Sequence, residues 1–420
     1  MRKYVLGLGL LALASPLAAA DSPEAVAEAA LSAAPVWDGH NDVPEQLRGR
    51  RGDVLAGFDF NDTRAEPDGK GGTKPMHTDF PRLAQGRVGA QFWSVYVDAD
   101  LAEPEAVVAT LQQIDVTKRL IARYPDKLAL ALTAADVERA MKQGRIASLI
   151  GMEGGHSIDG SLGVLRQMYD LGARYMTLTH SKNTAWADSA TAKPEHDGLT
   201  DFGRDVVREM QRIGMLVDLS HVSEATMIDT LDVAQAPVIF SHSGARAIGE
   251  HVRNVPDSAL ARLKDNGGIV MAVALPGYLS EPRRQWGAQR EGEKKRLETL
   301  WPASADEVTK GLGAWDAANP EPKATVSDMA DHIDHIRAVA GIDHIGLGGD
   351  YDGMDTGPVG MEDVAGYPAL FVELARRGYS QADLEKISSR NMMRVLRAAE
   401  AYAAAHRADA PIENPVPKEG

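Results

Sequence analysis

The chain has 420 residues, 44% of them hydrophobic and 25% charged, with a net charge of −15. This balance is that of a soluble globular protein and excludes a nucleic-acid binder, which would carry basic patches. The absence of cysteine excludes disulfides, thiolate metal sites, thiol catalysis and a cysteine-linked lipid anchor. The N-terminus reads as a secretion signal: Arg2 and Lys3, then the apolar run 5–13, then Ala18-Ala19-Ala20 as a cleavage site. The alternative, a membrane anchor, suits the sequence less well because the run is short and ends in small residues. Cleavage after Ala20 makes the mature protein 21–420, exported and, in a Gram-negative source, periplasmic. The polar, Pro-containing tail after Ala405 implies no C-terminal anchor.

Short apolar, β-rich runs then recur at 35–38, 91–96, 147–152, 175–179, 216–219, 238–241, 269–273 and 345–348. Between them lie segments with helical period, among them 105–124, 162–171, 202–213, 224–234, 257–264 and 327–340. Ser223 and Ser327 stand where N-caps belong. Strands alternating with helices predict a parallel sheet. Eight such repeats in a chain of this length predict a single α/β domain, a (β/α)8 TIM barrel, over a doubly wound sheet. Two connections, 42–90 and 276–325, are long enough to be lids or interfaces. The segment 381–402 reads as helical packing that closes the domain around Asn391.

Polar residues stand where the apolar runs end: His40 and Asp42, Glu153, His180, His221, His242 and Asp350. One buried imidazole or carboxylate at a strand end is ordinary. Six strand ends so equipped point to the C-terminal rim of a barrel, where such enzymes carry their site. His40 and Asp42, two apart on an extended chain, project to one side and suit a divalent cation. His221 and His242 suit a second, and Glu153, with two oxygens, suits a bridge between ions roughly 3.5–4 Å apart that share a hydroxide. Asp350 is placed to move a proton from that hydroxide to a leaving amine, with Asp352 as its local competitor. His180 can donate to a carbonyl oxygen as it becomes an oxyanion, or serve as a further ligand. His332 and His335 on an acidic helix read as a solvated face. His77, His196 and His251 lie in loops without identifiable partners, and His156 reads as a support for Glu153.

The motifs Asp38-Gly39-His40-Asn41-Asp42, Gly151-Met152-Glu153-Gly154-Gly155-His156, Thr177-Leu178-Thr179-His180-Ser181 with Asn183 and Trp186-Ala187-Asp188, Phe240-Ser241-His242-Ser243, Arg253-Asn254-Val255-Pro256-Asp257 and Gly348-Gly349-Asp350-Tyr351-Asp352-Gly353 together resemble the membrane (renal) dipeptidase family, peptidase family M19 of the amidohydrolase barrels. The resemblance covers nearly all of the mature chain. It implies a (β/α)8 enzyme that holds two Zn2+ at His40, Asp42, Glu153, His221 and His242 and hydrolyses dipeptides, L,D as well as L,L. It implies further that His180 contacts the substrate, that Arg253 binds its carboxylate, that Tyr278 is another substrate-side residue and that Asp350 is the proton shuttle. Independently, the forked guanidinium of Arg253 matches a carboxylate, although a surface salt bridge would use the same residue. The mammalian relatives carry a cysteine where Lys182 stands and a C-terminal lipid-anchor signal that this chain lacks, and the insertion at 279–325 is longer here. The expected partner is a small dipeptide and the expected assembly a homodimer, with no nucleic acid and no stable membrane anchor. Two rivals remain at this stage. One is a binuclear metal hydrolase of cyclic amides, lactones or esters, which would not need Arg253. The other is a non-catalytic binding protein on a barrel frame, which would not need Asp350.

Overall fold

The computed structural model describes residues 22–414. The expected secretion signal lies outside that span. Nine strands are present among the described residues: β1 (Val36–Asn41), β2 (Val88–Tyr96), β3 (Leu128–Leu130), β4 (Ile146–Glu153), β5 (Ala173–Thr177), β6 (Leu216–Asp218), β7 (Ile239–Ser243), β8 (Ile269–Ala272) and β9 (Ile345–Leu347). Eight of them close a parallel ring in the order β1-β2-β4-β5-β6-β7-β8-β9, with β9 returning to β1 and helices between the strands. This is the expected (β/α)8 barrel, and its eight strands are the eight apolar runs. β3 is the addition. It pairs with Ile146–Ser148 at the start of β4, on a sequence of only three residues, Leu-Ala-Leu, too short to show a period.

The apolar runs are nearly continuous because each strand is buried on both faces. Alternate residues enter two different clusters, as a period of two demands. Trp37, Phe92, Leu149, Tyr175, Ile239 and Met271 fill the inside of the ring. Val36, Trp93, Ile150, Met176, Phe240 and Val270 pack outward under the helices. The helix Asn391–Ala405 adds Met392, Val395 and Leu396 to the inner cluster and so plugs the end of the barrel away from the polar rim. Asn391 ties that plug to β9 by donating from Nδ2 to the carbonyls of Ile342 and Ile345 at 2.8 and 2.9 Å.

Most helices stand where the periodicity places them, with local corrections. Ser223 caps Glu224–Val233 by accepting from Thr226 N–H. The next predicted cap is displaced: Thr325, not Ser327, starts Val326–Val339, because Thr325 and Asp328 exchange the two bonds of a capping box. The segment 257–264 breaks into Asp257–Leu260 and Leu263–Asn266. The long 276–325 connection forms Pro276–Leu279 and an antiparallel pair, Glu281–Leu300 with Ala305–Ala318, held by Trp286 against Trp315 and by the two-bond pair Arg290–Asp316 at 2.7 and 2.9 Å. No helix among the described residues is long and apolar enough to cross a membrane.

Two joins of the ring are thin. Within the strands β1 pairs with β9 at Asp38↔Leu347 alone, with one further bridge past the end of β9 at Asn41↔Tyr351, and β6 pairs with β7 at Asp218↔Ile239 alone. At each, an aspartate side chain replaces missing ladder bonds. Asp38 Oδ1 accepts from Gly349 N–H at 2.8 Å, and Asp218 Oδ1 accepts from Ser241 N–H at 2.9 Å.

Candidate metal centre and substrate cavity

The predicted rim residues converge. Asp42, Glu153, His180, His221, His242, Arg253, Tyr278 and Asp350 all line one cavity of about 340 Å³, and His40 lies fully buried beneath it. The strands bring them there directly: His40 and His242 are strand residues, and Glu153 is the last residue of β4. His221 and Asp350 follow their strands with φ of 72° and 63°, left-handed turns that re-aim the chain at the axis. Non-glycine residues adopt such angles at a cost that surrounding structure must offset. Here the Asp350 N–H donates to His40 carbonyl at 3.2 Å. Gly353 completes this turn, because a Cβ there would come within 2.3 Å of Asp42 Oδ2 and 2.7 Å of Asp350 Oδ1.

Glu153 divides its two oxygens between two groups of nitrogens. Oε1 faces Nε2 of His221 at 2.9 Å, of His242 at 3.5 Å and of His180 at 3.8 Å. Oε2 faces His40 Nε2 at 3.4 Å and accepts from Ser94 Oγ at 3.0 Å. His40 Nε2 also lies 3.4 Å from Asp42 Oδ2 and 4.0 Å from Asp350 Oδ1. Three overlapping trios result, each with one ligand atom per residue within 4.8 Å: His40, Glu153, His242; Glu153, His180, His221; and His40, Asp42, Asp350. His40 and Asp42 share a trio, as the sequence expectation pairs them, but no trio holds both His221 and His242: His242 joins His40 and Glu153, and His221 joins His180 and Glu153, although the Nε2 atoms of His221 and His242 lie 2.9 Å apart.

The donor chemistry fits divalent ions. Ser241 Oγ donates to Asp218 Oδ2 at 2.5 Å and sits 2.8 Å from His242 Nδ1. With the hydroxyl proton directed at Asp218, His242 must donate from Nδ1, and its Nε2 lone pair then points into the cavity. That nitrogen faces His221 Nε2 at 2.9 Å. His40 Nε2 is buried without a hydrogen-bond partner, while its Nδ1 bonds the Tyr175 hydroxyl at 2.9 Å. With only protein charges around them, burial holds His221 and His242 well below the ordinary imidazole range, so both are neutral and ready to ligate. Burial also works against a charged His40, yet Tyr175 and the carboxylates of Glu153 and Asp42 together prevail and push its pKa up. That corner of the cavity therefore calls for positive charge. Asp350 is pushed well above the ordinary carboxylate range by burial and by the neighbouring Asp42, and burial drives His180 down to about 4.

Arg253 is 2% exposed, and none of its Nε, Nη1 or Nη2 atoms has a hydrogen-bond partner among the described residues. The surface salt bridge that its sequence allowed is not what it makes. The Tyr278 ring lies under its guanidinium at 5.5 Å, and His251 stacks on Tyr278 at 4.2 Å while accepting the Arg253 N–H at Nδ1. Arg253 is among the residues that line the cavity, and a buried guanidinium without a partner in the protein is suited to a carboxylate.

Several readings of individual histidines change. His332 is not on a solvated face but fully buried: Ala245 N–H donates to its Nδ1 at 2.8 Å, so its Nε2 carries the proton and donates to Leu279 carbonyl at 3.0 Å. It braces the chain after His242 to the short helix that carries Tyr278. His77 has a partner after all, exchanging two bonds with Asp352 at 2.7 and 3.0 Å, which occupies Asp352, the expected competitor of Asp350. His196 reaches Thr184 carbonyl at 3.1 Å. His156 makes no bond to Glu153, and its Nε2 has no partner; Ser94 supports Glu153 instead. The sequence reading did not single out Ser94, Tyr96, Tyr175, Asp218 or Ser241. Tyr96 lines the cavity and packs on His180 at 4.4 Å. All five stand on strands among apolar neighbours, and only Asp218 and Ser241, polar residues one or three positions before a rim histidine, offered a signal.

Residues 24–410 match the family model for membrane dipeptidase, peptidase family M19. The chain is similar to the dipeptidase tcpJ of Claviceps purpurea, with 42% identity over 394 residues that cover 91% of this chain and 81% of that one. Its fold is shared with the probable dipeptidase PvdM of Pseudomonas aeruginosa, at a TM-score of 0.76 and 22% identity over 91% of this chain and 99% of the other. It is shared also with a metallopeptidase of Rhodobacter sphaeroides bound to a phosphinate mimic of L-Ala-D-Ala, at a TM-score of 0.70 and 23% identity over 87% and 99%.

Proposed function

The chain belongs to the membrane dipeptidase family, peptidase family M19, and is a metal-dependent dipeptidase acting on small peptides; we propose that it holds two zinc ions and cleaves L,L- and L,D-dipeptides, with each rim residue in a defined role. His40 and Asp42 hold one ion, His221 and His242 the other, and Glu153 lies across both. Ions bound there supply Lewis acidity towards water and towards the peptide carbonyl. Arg253 takes the free carboxylate of the C-terminal residue through its unpartnered donors, with Tyr278 as the floor beneath it. A neutral His180 donates to the carbonyl oxygen as negative charge develops. Asp350 receives a proton from the attacking water and delivers it to the leaving amine.

The observation that carries this reading is the buried, unpartnered Arg253. It restricts the substrate, because a further C-terminal residue would have to occupy the space of the guanidinium. A cyclic amide, lactone or ester brings no carboxylate to Arg253, and a mere binder gives Asp350 no task. Tolerance of a D-residue draws support from the L-Ala-D-Ala mimic bound by the Rhodobacter sphaeroides neighbour. The test is hydrolysis of L,L- and L,D-dipeptides beside a tripeptide and a dipeptide amide, by zinc-loaded and chelator-treated protein. Zinc-dependent cleavage of the free dipeptides alone is expected. Equal cleavage of the amide would overturn the role of Arg253.

Export with cleavage near Ala20 and assembly as a homodimer belong to the same reading. N-terminal sequencing of the secreted protein beginning elsewhere than Asp21, or a monomeric mass by light scattering, would refute the one or the other.

A further inference from the structure

We propose that Glu45 selects dipeptides whose N-terminal residue carries a cationic side chain. The inference rests on the dipeptidase reading above and deepens it.

Glu45 is the third residue of the helix Val43–Arg51, three after Asp42, where an Asp-x-x-Glu sequence commonly closes a reciprocal cap. The cap is not made. The Asp42 side chain forms no capping bond and faces His40, and the Asp42 N–H donates to Tyr351 carbonyl at 2.9 Å. Glu45 therefore has no helical task, and among the described residues nothing hydrogen-bonds or ion-pairs with it. Its charged neighbours are mostly carboxylates: Glu153, Asp350 and Asp352. A partly buried carboxylate so placed lacks a cation.

Its position says where that cation comes from. Glu45 lines the inner cavity and also a second cavity of about 630 Å³ outside it. It stands at the mouth between them. The basic residues of the outer cavity are engaged elsewhere: Arg50 with Gln46 and Lys74 carbonyl, Lys74 with Asp355, Arg283 with Glu321. A dipeptide with its carboxylate on Arg253 and its peptide carbonyl over Glu153 directs its N-terminal residue away from Arg253. The α-ammonium of that residue stays beside the scissile bond, where Asp42 and Asp350 already lie. Glu45 is left for the side chain, and the outer cavity gives room for a long one of lysine or arginine type.

The experiment compares kcat/KM of the zinc-loaded full-length enzyme on Lys-Ala, Arg-Ala, norleucine-Ala and Glu-Ala. Norleucine matches the lysine stem without its charge. Lys-Ala and Arg-Ala are expected to exceed norleucine-Ala about tenfold, equivalent to about 1.4 kcal/mol. The ratio should collapse in Glu45→Gln, and Glu45→Lys should turn the preference towards Glu-Ala. Equal wild-type rates on Lys-Ala and norleucine-Ala overturn the proposal. So does a Glu45→Gln variant that lowers both by one factor, which would assign Glu45 to the α-ammonium or to structure. Failure on all four dipeptides, by contrast, would count against the dipeptidase reading and not against Glu45 in particular.

Discussion

The Nε2 atoms of His221 and His242 face each other at 2.9 Å, with Glu153 Oε1 at 2.9 Å from the first and 3.5 Å from the second. Two neutral imidazoles in this position oppose lone pairs unless one of them carries a proton there, and a shared cation relieves the conflict. Zinc titrated into chelator-treated protein should therefore stabilise it. At a free concentration a hundredfold above Kd the gain is about 2.7 kcal/mol, or a rise of about 3 °C in Tm for a chain of this size. A His242→Ala variant should bind fewer ions by metal analysis and show a smaller rise. An unchanged Tm on zinc addition would show that the folded state does not bind it.

Ser241 holds His242 in its ligating tautomer through Asp218. Ser241→Ala removes the acceptor for Nδ1–H and leaves the backbone in place. The expected loss is about 10–100-fold in metal affinity, measured by competition with a chelator, while the circular dichroism spectrum stays that of the wild type. A variant that keeps full affinity would mean that packing alone orients the ring.

Arg253→Ala should lower kcat/KM on a free dipeptide by about 2–5 kcal/mol, the cost of deleting one partner of a buried charged pair. Arg253→Lys should recover part of it, since an ammonium supplies charge but not the fork. A residual activity that ignores whether the substrate is a free acid or an amide is the expected signature of the alanine variant. Equal kcat/KM for alanine variant and wild type on the free acid would remove Arg253 from the site.

Far from the cavity, Glu209 is fully buried and accepts from Arg212 at 2.7 Å twice, from Arg166 at 2.9 Å and from Ile412 N–H at 3.2 Å. Burial opposes its ionisation, but these donors prevail and hold its pKa below the ordinary glutamate value. The depressed carboxylate stabilises the fold at pH above its unfolded value, and this contribution fades as pH falls through the folded one. Glu209→Gln should cost about 3 kcal/mol at neutral pH and flatten the acid limb of the stability curve. An acid limb as steep as that of the wild type would assign the acid sensitivity to other carboxylates.

The eight barrel strands were legible because burial on both faces writes continuous apolar runs, and the rim was legible because histidine, aspartate and glutamate interrupt those runs at their ends. β3 was invisible at three residues. His332 was misread because Asp328, Asp331 and Asp334 surround it in sequence, while the helix turns it inward to two backbone groups that only the fold brings near. Tyr175 and Ser94 were hidden for the opposite reason. A tyrosine or serine on a buried strand looks like packing until its partner, His40 across the barrel or Glu153 on the adjacent strand, is known. Arg253 could be named from its motif, but its lack of any partner is a property of the fold alone.

The two thin joins, β1 to β9 and β6 to β7, divide the ring into an arc of five strands and an arc of three. His40 and Asp350 flank one division; His221 and His242 flank the other. His221 on the arc of five and His242 on the arc of three face each other at 2.9 Å across the second division, so a divalent ion bound to both would tie the two arcs together there. Loss of such an ion would loosen the barrel at that join. Amide exchange near Ser241, whose N–H is held by the Asp218 side chain at that join, should then slow when the ion binds.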